Sequence, residues 1–200
     1  MRKTIVPLLL AILGFGTADY GWCEQRDRDN VAKTSSLVSR HLLAFEQEPR
    51  VDLSSYLARG EEAEKELAAD LLEMQSADWS GAEAKRDAAI EFTSRALNVI
   101  RTYTRFRMAN LRVGMTERRL LEEQRALAQE TDPKHKGLVA ERLQVYKDKY
   151  VQEQREYYHQ AAALGMHSEM LLRANDGVNV AFGEGNGLDV TTQEFMKRLF

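Results

Sequence analysis

Glu156-x-x-His159 sets a carboxylate and an imidazole three residues apart, the spacing by which one helix face offers two ligands to a single metal. Di-metal helical bundles use that motif twice and add two further glutamates. No second E-x-x-H occurs in this chain. Glu64 and Glu153 fall near helix seams and are the glutamates that would have to complete such a site. Glu156 and His159 thus remain candidates for a metal-binding alternative, while the simpler reading is a solvated pair on an outer helix face, with no cofactor. His41 and His167 read as seam-flanking side chains, and His135 falls at an exposed turn.

Nucleophilic chemistry finds less support. There is no G-x-S-x-G, no phosphate-binding loop and no C-x-x-C. Gly185-Asn186-Gly187-Leu188-Asp189 partly resembles a calcium-binding glycine-aspartate repeat, but one incomplete copy cannot stack into a β-helix. No catalytic residue is assigned, and the chain is not expected to be an enzyme. Cys23 is the single cysteine. In an oxidising compartment it can pair with another chain, or it can be a bystander thiol near the N-terminus. Tyr20 and Trp22 are the wrong flanks for a lipidation motif.

That compartment is indicated by the first eighteen residues. Arg2 and Lys3 precede an apolar run from Ile5 to Phe15, and Gly16 and Ala18 occupy the small positions read by signal peptidase. A secretory signal peptide over residues 1–18 is expected, cleaved before Asp19, giving a secreted or periplasmic chain. The apolar run is short for a membrane span, which needs about 20 residues. No later stretch is long enough to cross a membrane.

The remainder reads as helix. Of 200 residues 44% are hydrophobic and 30% charged, with 12 Gly and 3 Pro, which excludes collagen-like and disulfide-stapled folds. A first helix is expected over about 30–47, with Val31, Leu37, Val38, Leu42 and Phe45 on one face and Pro49 ending it. A second covers 52–76, with Leu53, Gly60, Leu67 and Met74 at sevens. A third begins at Ser80, with Ser80 and Glu83 in the relation of a capping box. It runs to about residue 130 through Phe92, Val99, Phe106, Val113, Leu120 and Leu127. The fourth starts at Asp132-Pro133 and carries Leu143, Tyr150, Tyr157, Leu164 and Leu171. Asn175-Asp176-Gly177 is expected to end it.

The two long repeats pair with a constant residue sum of 263, so helices three and four should fold back about a turn between Thr131 and Asp132. Ala96/His167, Tyr103/Gln160, Asn110/Glu153 and Glu117/Tyr146 satisfy the same sum as a flanking row. Ile90, Leu97, Ile100 and Leu111, with Tyr158, Ala162, Met170 and Leu172, form a second apolar face for helices one and two to cover. Gly114 is the one position where the third helix could break, although the repeat continues through it.

The fold class is therefore all-α: an antiparallel four-helix body, a long two-helix coiled-coil hairpin arm and a short C-terminal helix. The helical domain spans 19–176, with the arm at about 111–152. A glycine-rich tail, 177–200, carries a last helix capped by Thr191 and Glu194, with Phe195, Met196, Leu199 and Phe200 on its apolar side. It either docks on the body or engages something else.

Charge is uneven: residues 19–80 carry a net −7, residues 81–111 a net +3 and residues 112–150 a net +2. Acidic side chains on the second helix can match arginines on the third. Alternatively, the arginines meet an anionic partner such as a lipid headgroup or a glycan. Nucleic acid is not expected, given export and a formal net charge of −3. A projecting arm with no site for chemistry implies work through protein–protein interaction, as an adaptor, chaperone-like or assembly component of the cell envelope. Thr131, Asp132, Pro133 and His135 at its tip are the candidate partner-binding residues, and homo-oligomerisation is possible. The alternatives are a small-ligand or metal-binding helical bundle and a secreted membrane-active effector.

Overall fold

Seven-residue repeats as long as those of residues 92–127 and 143–171 favour two long helices zipped along one seam. The computed structural model, which describes residues 28–44, 52–76 and 82–199, has that arrangement. Every element among those residues is helical. We label them α1 (28–42), α2 (Leu53–Ser76), α3 (Glu83–Gln129), α4 (Pro133–Phe182) and α5 (Val190–Lys197). At 1.5 Å per residue α3 and α4 are each roughly 70–75 Å long. The signal peptide, Cys23, Phe45, Pro49, Ser80 and Phe200 lie outside the described residues.

The turn falls at residues 130–132, where the pairing sum places it. Phe106 and Tyr157, an expected pair, have ring centroids 5.3 Å apart. Asp132 caps α4 by accepting from the backbone N–H of Lys134 (2.8 Å) and His135 (3.3 Å), and Pro133 follows at the first helical position. Gly114 leaves α3 unbroken.

Near the open ends of the hairpin, α1, α2 and α5 complete a body with one shared core. Val31, Val38 and Leu42 of α1 join Tyr56 and Leu67 of α2, Phe92, Val99 and Ile100 of α3, Leu164 and Leu171 of α4, and Met196 of α5. Lys33 meets Asp70, and His41 meets Tyr56, which makes α1 and α2 antiparallel neighbours. Beyond about residue 109 only α3 and α4 remain, and the buried set shrinks to Ala109, Thr116, Leu120, Val139 and Leu143.

Several expectations need correction. The N-cap of α3 is Ala82, with no side-chain cap bond, so Glu83 occupies the first helical position and not the third that a capping box with Ser80 requires. Helix α4 passes through Asn175-Asp176-Gly177 and ends at Gly183, whose φ of 96° suits glycine. Ala174, Val178 and Phe182 are buried there, and that burial outweighs the local preference of Asn-Asp-Gly for a turn. Asp189, not Thr191, caps α5, accepting from the N–H of Thr192 at 2.8 Å.

In the arm the flanking row lies one residue earlier than expected. Ala109 and Thr116 are buried, whereas Asn110 and Glu117 are exposed. With a single neighbour, the small side chains let α4 approach and the charged one stays in water. Val113 and Tyr150 are half-buried only. The second apolar face is covered on its α3 side at Leu97 and Ile100. Its α4 members Tyr158, Ala162 and Met170 are exposed, because α2 packs on α3 and α5 on α4.

Candidate functional site

The arm tip combines an ordered backbone with unburied side chains. Glu130 accepts from the N–H groups of Thr131 and Asp132, both at 2.9 Å. The bond from Asp132, then that from Thr131 and the charges of His135 and Lys136, hold its carboxyl below the usual carboxylate range. One carboxylate therefore fixes the turn and the next caps the following helix. Thr131, Asp132, Pro133 and His135 are all exposed, with the His135 imidazole 3.8 Å from the Asp132 carboxylate. Leu121 and Leu138 add exposed apolar surface near the tip. Because Asp132 is a cap, replacing it is expected to cost about 1 kcal/mol of helix stability. Thr131 and His135 have no such duty, whereas Pro133 is pre-set for the first helical position.

Glu156 and His159 are both exposed on α4. Gln160 donates to Glu156 at 2.7 Å. The pair lines a shallow groove with Glu153 and with Arg112, Lys149 and Arg155, whose cationic side chains would compete with a metal ion. Glu153 has one enclosed oxygen without a hydrogen-bond partner, and its other oxygen lies 3.8 Å from the Lys149 ammonium. Glu64 is engaged by Arg101 at 2.7 Å, a pair that bridges acidic α2 and basic α3. Among the described residues no three His, Cys, Asp or Glu side chains converge as metal ligands. Arg95 and Arg119, by contrast, pair within α3, with Glu91 and Glu122.

A third constellation, at the junction of α1, α2 and α3, went unread in the sequence. His41 is 5% exposed. Its Nε2 lies 2.9 Å from the Thr104 hydroxyl and 3.0 Å from the Tyr56 hydroxyl, and its ring stacks on Tyr56 with centroids 4.6 Å apart. Thr104 donates its hydroxyl hydrogen to the Ile100 carbonyl at 2.8 Å, so toward His41 it can only accept. The Tyr56 hydroxyl, facing the same nitrogen, can donate to it or accept from it. Burial, reinforced by the Arg59 charge, lowers the His41 pKa to about 4. Burial likewise raises the Tyr56 phenol well above its ordinary value. Gly60 makes room for this cluster: a Cβ there would sit 3.0 Å from His41 Cε1. The sequence signal was a glycine inside a helix repeat opposite a histidine. His167 is half-buried, with an enclosed Nδ1 that has no hydrogen-bond partner.

The Gly185–Asp189 segment works as a clasp. Leu188 N–H donates to Asn175 Oδ1 at 2.6 Å, Ser35 to the Gly187 carbonyl at 2.9 Å, and Ser39 to Asp189 at 2.6 Å. The tail is thereby docked on the body, with Leu188 and Met196 buried. In comparisons with known proteins, the chain matches no family model, no curated protein and no solved structure.

Proposed function

We propose that this chain is an exported, non-enzymatic helical protein that acts through protein–protein interaction, as an adaptor, chaperone-like or assembly component of the cell envelope. The arm tip is its point of contact. The observation that carries this reading is the contrast at residues 130–135: a backbone held by Glu130 and Asp132, and side chains from 131 to 135 that are all exposed. A pre-ordered turn loses little conformational freedom on binding. Export rests on the charged start, short apolar run and Gly16/Ala18 pair of the sequence. No described helix is long and apolar enough to cross a membrane.

The test is a chain carrying Thr131→Ala and His135→Ala, with the Asp132 cap and Pro133 kept. A partner captured from envelope extracts by the unaltered chain is expected to be lost by this variant at unchanged melting temperature. Equal capture by both would remove the tip from the interaction.

A further inference from the structure

Helix α1 is attached to the body through a run of polar contacts. Lys33 reaches the buried Asp70 at 3.0 Å, and the Thr34 and Thr93 hydroxyls are 3.2 Å apart. Ser35 and Ser39 bond the 187–189 turn, and His41 closes the junction with Thr104 and Tyr56. The apolar share of the interface is Val31, Leu37, Val38 and Leu42. A cavity of about 190 Å³ between α1 and α2 is bounded in part by His41, Tyr56, Arg40, Arg59, Glu62 and Glu66. The buried imidazole thus lies at the wall of a cavity and not in solid core.

We propose that α1 is an acid-released latch: when His41 takes up a proton, α1 leaves the body while the α3–α4 hairpin stays folded. Whichever ring nitrogen takes the added proton, the result is a charged ring inside a core. The Arg59 charge opposes a positive ring, and of the two nearby carboxylates Glu62 is exposed to water and Glu66 faces Lys33. Arg40 comes from α1 itself. Arg59, Tyr56, Glu62 and Glu66 come from α2, with Glu66 3.8 Å from Lys33. From α3 come Tyr103, whose ring meets His41 edge-on, and Thr104, with Arg107 acting on the adjoining Tyr56. The tail contributes Asp189, bonded to Ser39.

Once α1 is released, the imidazole protonates in water near its ordinary value of 6.5, whereas the docked ring holds out to about 4. Docking should therefore weaken by up to about 300-fold as pH falls across that interval. Asp189 acts in the same direction at lower pH: burial opposes its charge, but bonds from Ser39 and Thr192 keep its carboxyl below the usual range. The inference is independent of the tip reading.

The test is hydrogen exchange of the full chain at pH 7.5 and 4.5, corrected for intrinsic rates. At pH 4.5 the amides of residues 31–42 are expected to lose about tenfold or more of their protection, while those of residues 92–106 keep theirs. His41→Gln should keep α1 protected at both values. Equal α1 protection at both pH values in the unaltered chain, or the same acid opening in His41→Gln, overturns the proposal. Should that variant not fold, ring NMR of His41 in the unaltered chain decides. A titration that shares its midpoint with α1 opening supports the latch, and a ring that titrates while α1 stays protected overturns it.

Discussion

Helices α3 and α4 carry one repeat from end to end, yet the same positions behave differently in the two regions they cross. In the body, Phe92, Val99 and Leu171 are 0% exposed. In the arm, Leu120 retains 9% exposure and Leu143 7%, and Val113 and Tyr150 are half-buried. Pairing is the same, but the number of neighbours differs. A belt of rings marks the border: Tyr103 contacts His41, Phe106 and Phe195, and Phe106 faces Tyr157. A heptad repeat thus selects the partner helix, while flanking elements decide how dry the seam becomes.

The sharpest way to break this comparison is one truncation made in both regions. Leu171→Ala opens a cavity walled on all sides and should cost about 4 kcal/mol, whereas Leu120→Ala, beside water, should cost about 2 kcal/mol. Denaturant unfolding of the two variants measures both, and equal costs would mean that the arm is as closed as the body.

The next effect belongs to the body. The unfolded chain binds a proton at His41 from about pH 6.5 downward, while the native chain does so only near 4. Stability is therefore full above pH 6.5, falls by about 3 kcal/mol as pH drops to 4, and has no further slope from this group below that. Unfolding free energies compared with those of His41→Gln isolate the contribution. A shift that survives the substitution would place the titration elsewhere.

Periodicity made the helices, the turn and the pairing legible, because a seam buried along many heptads leaves a mark every seventh residue. Three features left no such mark. Burial of Val178 and Phe182 carried α4 past Asn175-Asp176-Gly177, a tertiary effect acting against a local preference. The choice of Ala109 and Thr116 over Asn110 and Glu117 depended on having one neighbour instead of three. The His41 cluster draws its partners from residues 15 and 63 positions away, Tyr56 and Thr104, and spacing along one helix shows only Gly60, the residue that makes room for the meeting. The tip was legible as a turn, but its ordering by Glu130 was not, since a glutamate ahead of a capping aspartate has no distinctive pattern.

Two glycines extend the comparison to smaller effects. Gly187 in the body clasp lies against the Asn175 carboxamide, so close that an added Cβ would fall 2.9 Å from Asn175 Cγ and closer still to the oxygen that accepts from Leu188 N–H. Gly187→Ala should push Asn175 aside, loosen the clasp and cost about 2 kcal/mol, read as a lower melting temperature with faster exchange in α5. A neutral outcome would mean that the 183–189 turn gives way freely and that the tail is held by Met196 alone.

Gly114 in the arm is the opposite case and the smallest expected effect. It lies inside continuous helix, and a Cβ built on it meets nothing within 4 Å. Neither a close approach nor a left-handed backbone requires glycine there, and α3 runs through the position between the seam residues Val113 and Thr116. Alanine removes the conformational freedom that glycine gives the unfolded chain without touching a neighbour. Gly114→Ala should therefore stabilise the protein by roughly 0.5–1 kcal/mol, visible as a small rise in the denaturant midpoint at unchanged slope. A loss of stability, or a slope that changes, would show that the arm bends at Gly114 in solution. The arm would then be two jointed segments, and the single seam shared with the body would end at Val113.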